Sequence, residues 1–349
     1  MATEDQSIKT NFIFLWWRKI ILLFIIIVIV FPIISFFSLF FITQVPKNFQ
    51  ENIIIEIKPN TNISQIAYIL EKKKLIKSAT VFKLYNWYIE KTQKGVNMMA
   101  GHYRFPIPLN MFDVYDRLRK GVSGIKNISF VVTDGESNFS IAKRLSEKFP
   151  KRISEEKFLK LAKDYEGYLY PDTYEFSPYE VSEEIIIQTM NNNFLEKIKE
   201  IKNAIDKSRL SLKKIVIMAS LIEMETRGWD YQTKRKVSGV LWRRLQIGMP
   251  LQVDAVFDYI YKKHISRKLY SHLKIESPYN LYLNKGLPPT PIGNPTFSSI
   301  QSALWPNDLG YLYYLTGKDH KFYFSKNLEE HNFNKNKYII NYKVDSVVK

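Results

Sequence analysis

The feature that most limits how this chain can fold is a run without a polar face. Ile215, Val216, Ile217, Met218, Ala219, Ser220, Leu221 and Ile222 follow one another and are closed by Glu223, Met224 and Glu225. Ser211 supplies an N-cap and Gly228 a stop, so the pattern predicts a helix between them. A helix apolar on almost every side belongs inside a domain rather than on its surface. The rest of the chain has to supply its walls.

The two glutamates break local rules. Glu223 follows an apolar run, where an unpaired charge is costly, and both lie in the last turn, where the helix dipole disfavours negative charge. Rules broken without visible compensation mark functional sites. Both influences favour the neutral acid, so Glu223 is expected to have a raised pKa, as a proton donor near neutral pH requires. The alternative is that Glu223 is the first exposed residue of the helix, paired with Arg227. The two glutamates lie about 200° apart around a helix, so if one enters a cleft the other points away.

Ile20 to Ile42 is 23 residues without a charge, interrupted only by Pro32 and two serines, and long enough to span a bilayer. Trp16, Trp17, Arg18 and Lys19 precede it as an interfacial belt. Phe40 to Pro46 offers no small-residue cleavage site, so an uncleaved anchor is expected rather than a signal peptide. Lys9, Arg18 and Lys19 place the short tail on the cytoplasmic side, with the remainder outside the cytoplasm. The net charge of +17 points to an anionic partner. The lysines are diffuse, however, in a chain rich in Ile, Lys and Asn, and nucleic acid is set aside.

Beyond the anchor, Ile53 to Lys58 reads as a strand, Pro59 to Thr61 as a turn, and Ser64 onward as a helix. Ile128 to Thr133, Asp134 to Glu136 and Ile141 to Leu145 repeat that order 75 positions later. The unit resembles half of a LysM module, a fold that often binds N-acetylglucosamine polymers, and equally an ordinary βα packing unit. Ala100 to Phe105 reads as a further strand and Met111 to Gly121 as a helix. Asp164 to Phe176 is an aromatic loop that suits sugar faces or a core corner, and Ser182 to Lys207 is charged amphipathic helix. Lys234 to Leu245 is a second helix near the glutamates. Leu251 to Asp254 alternates as an extended piece projecting Gln252 and Asp254 the same way. The four prolines between Pro288 and Pro295 enforce a rigid loop able to fix Asn294. Ser298 to Leu304 begins another helix, and Tyr311 to Leu315 and Lys321 to Phe324 form paired strands.

The chain has no cysteine, no nucleotide-binding glycine loop, no HExxH or GxSxG, and its histidines (His102, His264, His272, His320 and His331) lack metal-ligand spacing. No cofactor and no metal site are expected. A partly buried glutamic acid, amides and tyrosines suit carbohydrate chemistry. A hydrolase needs a second carboxylate across the sugar, for which Asp254, Asp258 and Glu276 are available, Asp254 in the most structured context. A lytic transglycosylase needs one carboxyl group only.

Taken together the motifs resemble the endolytic murein transglycosylase family, the membrane-anchored YceG-like proteins of bacteria. The matching residues are Ala219 to Thr226, Glu166 and Gly167 with Tyr170 to Thr173, Arg244 and Leu245 with Gly248 and Met249, and Leu251 to Asp254. Ser277 to Asn280 with Tyr282, Gly286 to Pro289 with Pro291, Ile292, Asn294 and Pro295, and Glu330 to Asn332 complete them. The resemblance implies Glu223 as the catalytic acid/base and Gln252, Asp254, Tyr279, Asn280, Tyr282 and Asn294 along the glycan cleft. Val253 replaces the family's commoner Thr or Ser, which removes a hydroxyl from that cleft. It implies internal cleavage of peptidoglycan glycan strands, with 1,6-anhydro-MurNAc ends and an end to strand growth, at the inner membrane and in company with peptidoglycan synthases. The expected fold class is α+β: a cytoplasmic tail (1–19), a transmembrane anchor (20–42), a LysM-like subdomain (43–130) and a mixed helical and strand catalytic domain (131–349). A hydrolase of the same polymer and an anchored, non-catalytic glycan-binding scaffold remain the alternatives.

Overall fold

Antiparallel strand pairs organise both parts of the chain. We describe residues 16–19, 23–24, 26–93, 97–265 and 271–341 from a computed structural model. They fall into two units, residues 1–126 and 127–349, and the fold is α+β.

In the first unit a π-helical turn, Ile26–Val30, runs into α1 (Phe31–Thr43). Among the described residues no helix is long and apolar enough to cross a membrane. Residues 1–15 of the expected tail and residues 20–22 and 25 of the expected span lie outside the described residues. Then follow β1 (Ile53–Ile57), α2 (Ile63–Lys72), α3 (Ala79–Thr92), β2 (Gly101–Phe105) and α4 (Met111–Arg119). Ile55 and Ile57 are buried while Glu56 between them is exposed, the period-two pattern of a strand with one face on a core. β1 pairs antiparallel with β2, Ile55 opposite Tyr103. Asn62 and Gln65 cap α2 reciprocally, and Ser78 caps α3. Ile66, Leu70, Phe82, Phe105 and Leu118 fill the core beneath.

The second unit opens with the same order: β3 (Ile128–Val131), α5 (Asn138–Lys148), α6 (Glu155–Leu161) and β4 (Thr173–Phe176). β3 and β4 pair antiparallel, Phe130 opposite Tyr174. The echo in the sequence is thus the first half of a β-α-α-β arrangement that occurs twice. The amphipathic stretch after it is two helices, α7 (Glu183–Lys199) and α8 (Lys202–Lys207).

The central helix, α9 (Leu212–Glu225), starts where Ser211 Oγ accepts from the Lys214 amide at 3.3 Å, and every residue from Ile215 to Glu223 is buried. Around it stand α10 (Tyr231–Gln246), α11 (Val256–Ile260) and α12 (Phe297–Leu304). The chain continues through the antiparallel pair β5 (Tyr313–Thr316) and β6 (Phe322–Ser325) to α13 (Leu328–Lys335). Gly239 sits in mid-α10, where glycine costs about 1 kcal/mol against alanine. A Cβ there would stand 2.3 Å from the Asn307 carbonyl oxygen, so only glycine allows the helix this approach. Leu251 to Asp254 is not extended as expected but turns, with Gln252 in the left-handed region at φ +53°.

Candidate active site

The last turn of α9 sends its two carboxylates to different places. Glu223 has no accessible surface. Its Oε1 lies 2.9 Å from Lys234 Nζ. Oε2 accepts from Ser299 Oγ at 2.7 Å, from the Thr296 amide at 2.9 Å and from the Thr296 hydroxyl. Burial pushes this carboxyl toward its neutral form, but the Lys234 ammonium and the Thr296 donors outweigh it and hold the pKa below the ordinary value. The expected raised pKa is therefore reversed, because the buried charge has a partner that sequence spacing did not reveal. The alternative pairing with Arg227 does not occur either, since that guanidinium rests 3.1 Å from Met224 Sδ.

Glu225, two residues on, lines a cavity of about 510 Å³. Tyr314 Oη donates to its Oε2 at 3.0 Å. Arg244 enters from α10, its Nε bonded to the Leu312 carbonyl and its Nη1 to the Leu251 carbonyl, both at 2.7 Å, with Tyr313 under the guanidinium at 5.3 Å. Both acceptors are neutral, so the guanidinium charge is left to act on the cavity. Asp254 accepts from Tyr282 Oη at 2.5 Å, and Gln252 and His331 complete the polar wall. Burial and then the Glu225 charge hold the Tyr314 phenol well above its usual range. Burial and the Asp254 bond do the same for Tyr282. His331 is pushed down by burial and by Arg244 and Lys335, which favours the neutral imidazole. The cavity thus presents two carboxyl groups, the Arg244 and Lys335 cations and protonated phenols, a set able to move one proton and to oppose a developing positive charge. Among the described residues no group of three His, Cys, Asp or Glu could hold a metal ion.

Of the residues expected in the cleft, Gln252, Asp254 and Tyr282 meet in this cavity. Asn280 does not: it has no exposed surface, donates to the Leu273 and Ile275 carbonyls and accepts from the Tyr282 amide. Nor does Asn294, whose Oδ1 accepts from the Leu169 amide at 2.8 Å and whose Nδ2 donates to the Glu136 carbonyl and to Asn138. Both amides fasten loops. Tyr279 bonds Thr290 at 2.7 Å and packs on Tyr259. Val253 faces the core, so the missing hydroxyl leaves no gap in the cavity. The aromatic loop is a core corner: Leu169, Tyr174 and Phe176 are buried, and Tyr174 Oη donates to the Tyr170 carbonyl.

Sequence reasoning assigned no role to Lys234, Arg244, Tyr313, Tyr314 or His331. A signal for the first two was present. Lys234, Val237, Leu241 and Arg244 recur at helical spacing on the buried side of α10, and a cation on an apolar stripe is as anomalous as a carboxylate.

The YceG-like family matches residues 55–337 of this chain. An endolytic murein transglycosylase of Bacillus subtilis is 34% identical over 321 residues, covering 84% of this chain and 87% of that protein. One from Streptococcus pneumoniae is 25% identical over 334 residues, covering 83% of this chain and 59% of its own length. A crystal structure of a yceG-like protein from Listeria monocytogenes superposes with a TM-score of 0.55 at 33% identity, covering 81% of this chain and 99% of that one.

Proposed function

This chain belongs to the YceG-like family, and on that premise we propose that it cleaves peptidoglycan strands internally by transglycosylation, with Glu225 as the acid/base. The observation that carries the assignment is that Glu225 lines the cavity while Glu223 has no exposed surface and both its oxygens engaged. A neutral Glu225 donates its proton to the glycosidic oxygen as the bond from that oxygen to C1 breaks. The resulting carboxylate takes the proton of the same sugar's C6 hydroxyl as O6 bonds to C1. The proton is returned, no water is consumed, and the products are a 1,6-anhydro-MurNAc end and a free hydroxyl. Tyr314 orients the carboxyl, and Asp254 opposes the positive charge that develops on the ring.

Asp254 in the same cavity also keeps the hydrolase reading in view, since two carboxylates suffice for water to attack. Digestion in ¹⁸O-labelled water separates them: transglycosylation gives unlabelled anhydro ends, and label at new reducing ends establishes hydrolysis. Glu225→Gln is expected to lower the rate by about 10²- to 10⁴-fold with the fold intact. Glu223→Gln is expected to lower stability through Lys234, left without its charge partner. A Glu225→Gln enzyme within tenfold of wild type, with a stable but inactive Glu223→Gln, would return the role to Glu223.

The charge-free run 20–42 supports an anchor in the inner membrane with the tail in the cytoplasm and the cleaving unit outside it. The order β1-α2-α3-β2 supports a LysM-like module that holds glycan near the membrane. A cut made there, in company with peptidoglycan synthases, ends the growth of the strand.

A further inference from the structure

A second cavity of the same unit, about 550 Å³, has a charge pattern that the reaction does not use. Its walls come from the β3–α5 turn, the start of α5, the end of α9 and the segment around 258–264. Five cations border it, Lys143, Arg144, Arg227, Lys262 and Lys263, against two acids, Glu136 and Asp258. Both acids are engaged. Glu136 accepts from Arg144 at 2.7 Å and from Thr133. Asp258 accepts from the Ile265 amide and meets His264 Nδ1 at 2.9 Å. Subtracting the one cation that Glu136 neutralises leaves four. Arg227 lies against the Met224 sulfur with Asp134 as its neighbouring acid, Lys262 stands 5.5 Å over the Phe139 ring, and Lys143 and Lys263 are exposed. None of the four is in an ion pair among the described residues. Phe139, Met224 and Ile292 add an apolar surface.

Four cations around apolar side chains fit an oligoanion with aliphatic parts better than a bare phosphate. Two segments lead from this cavity to the catalytic one: Met224 lines the first and Glu225 the second, and Asp254 lines the catalytic cavity while Asp258 and Tyr259 line the basic one. A strand whose sugar sits at Glu225 therefore has its side branch within the same neighbourhood. Resting on the function proposed above, we infer that the basic cavity binds the peptide stem of the murein strand through its free carboxylates.

The test compares defined glycan strands that keep their peptide stems with the same strands stripped of them by an amidase, using the full chain in detergent. One charge-assisted hydrogen bond retained in the transition state suffices for kcat/KM to favour stemmed strands about tenfold or more at low salt. The preference is expected to shrink with added salt. It is also expected to fall toward unity in the double variant Lys262→Gln/Lys263→Gln and, separately, in Arg227→Gln, with unchanged melting temperatures. Strands whose stem carboxylates have been amidated are expected to behave like stripped ones. Equal cleavage of stemmed and stripped strands by the wild type overturns the inference and leaves the proposed reaction standing, whereas cleavage of neither overturns the reaction itself. A stem preference that survives both variants, or that inorganic phosphate at millimolar concentration abolishes in the variants as in the wild type, also overturns it.

Discussion

Two buried carboxyl groups in the second unit are shifted in opposite directions, and their pH behaviour separates them. Glu166 is buried, accepts from the Asn138 amide at 3.0 and 3.3 Å and faces Tyr259, and burial raises its pKa to about 8. The stability it confers is complete below the unfolded value of 4.5 and is lost as the pH rises through about 8. Glu223, held below its ordinary value by Lys234 and Thr296, contributes above the unfolded carboxylate value and is lost as the pH falls through its folded one. The second unit is thus squeezed from both ends of the scale. Glu166→Gln, which cannot ionise, is expected to flatten the decline in melting temperature between pH 5 and pH 9. Thermal unfolding of wild type and variant across that range checks it, and parallel curves for the two proteins would remove Glu166 from the account.

At the scale of elements, loops that sequence patterns assigned to the cleft turn out to be clasps. Asn294, beside the prolines, ties the α12 approach to the β3–α5 turn and to Leu169 through three buried bonds. Asn294→Ala strands the buried Leu169 amide and the Asn138 side-chain oxygen, at roughly 1–3 kcal/mol for each group left unsatisfied, while the Glu136 carbonyl keeps its bond from the Asn294 backbone amide. Denaturant unfolding is expected to register the loss as a lower midpoint, with cleavage falling only in proportion to the folded fraction. A fully stable variant that has lost activity would mean that Asn294 touches the sugar after all.

What the sequence disclosed follows the same line. The helix limits near α9, its Ser211 cap, the β5–β6 pair and the strand-turn-helix echo were legible because caps, periodicity and β-branched runs are local. The hydroxyl and amide partners of Glu223 were not, since Thr296 and Ser299 lie more than seventy positions away. The angle between the glutamates was readable, but which of them meets the cavity depends on where α10 and α12 stand. α3 carries Leu84, Trp87 and Tyr88 on its exposed side, so its hydrophobic pattern gives little indication of which face is buried.

For the whole molecule, the two units have separate hydrophobic cores: among the described residues the first has one core and one antiparallel pair, the second two core clusters and two pairs. Both cavities discussed above belong to residues 127–349 alone. A fragment of those residues is expected to unfold cooperatively and to retain cleavage of soluble strands, while losing sedimentation with membranes. Circular dichroism, a turnover assay and flotation on vesicles read the three properties, and a fragment that is folded but inactive would show that the first unit takes part in catalysis.

The last turn of α9 also bears on how such a chain can vary over time. With Glu223 and Glu225 on divergent sides of one helix, adding or removing a single residue upstream rotates both by about 100°, withdrawing one from Lys234 and the other from Tyr314 together. Exchanges of one apolar residue for another between Ser211 and Glu223 are far milder, because volume is all they disturb. Descent within this segment is therefore free in lettering and fixed in length: drift by substitution stays open, and drift by insertion or deletion is closed.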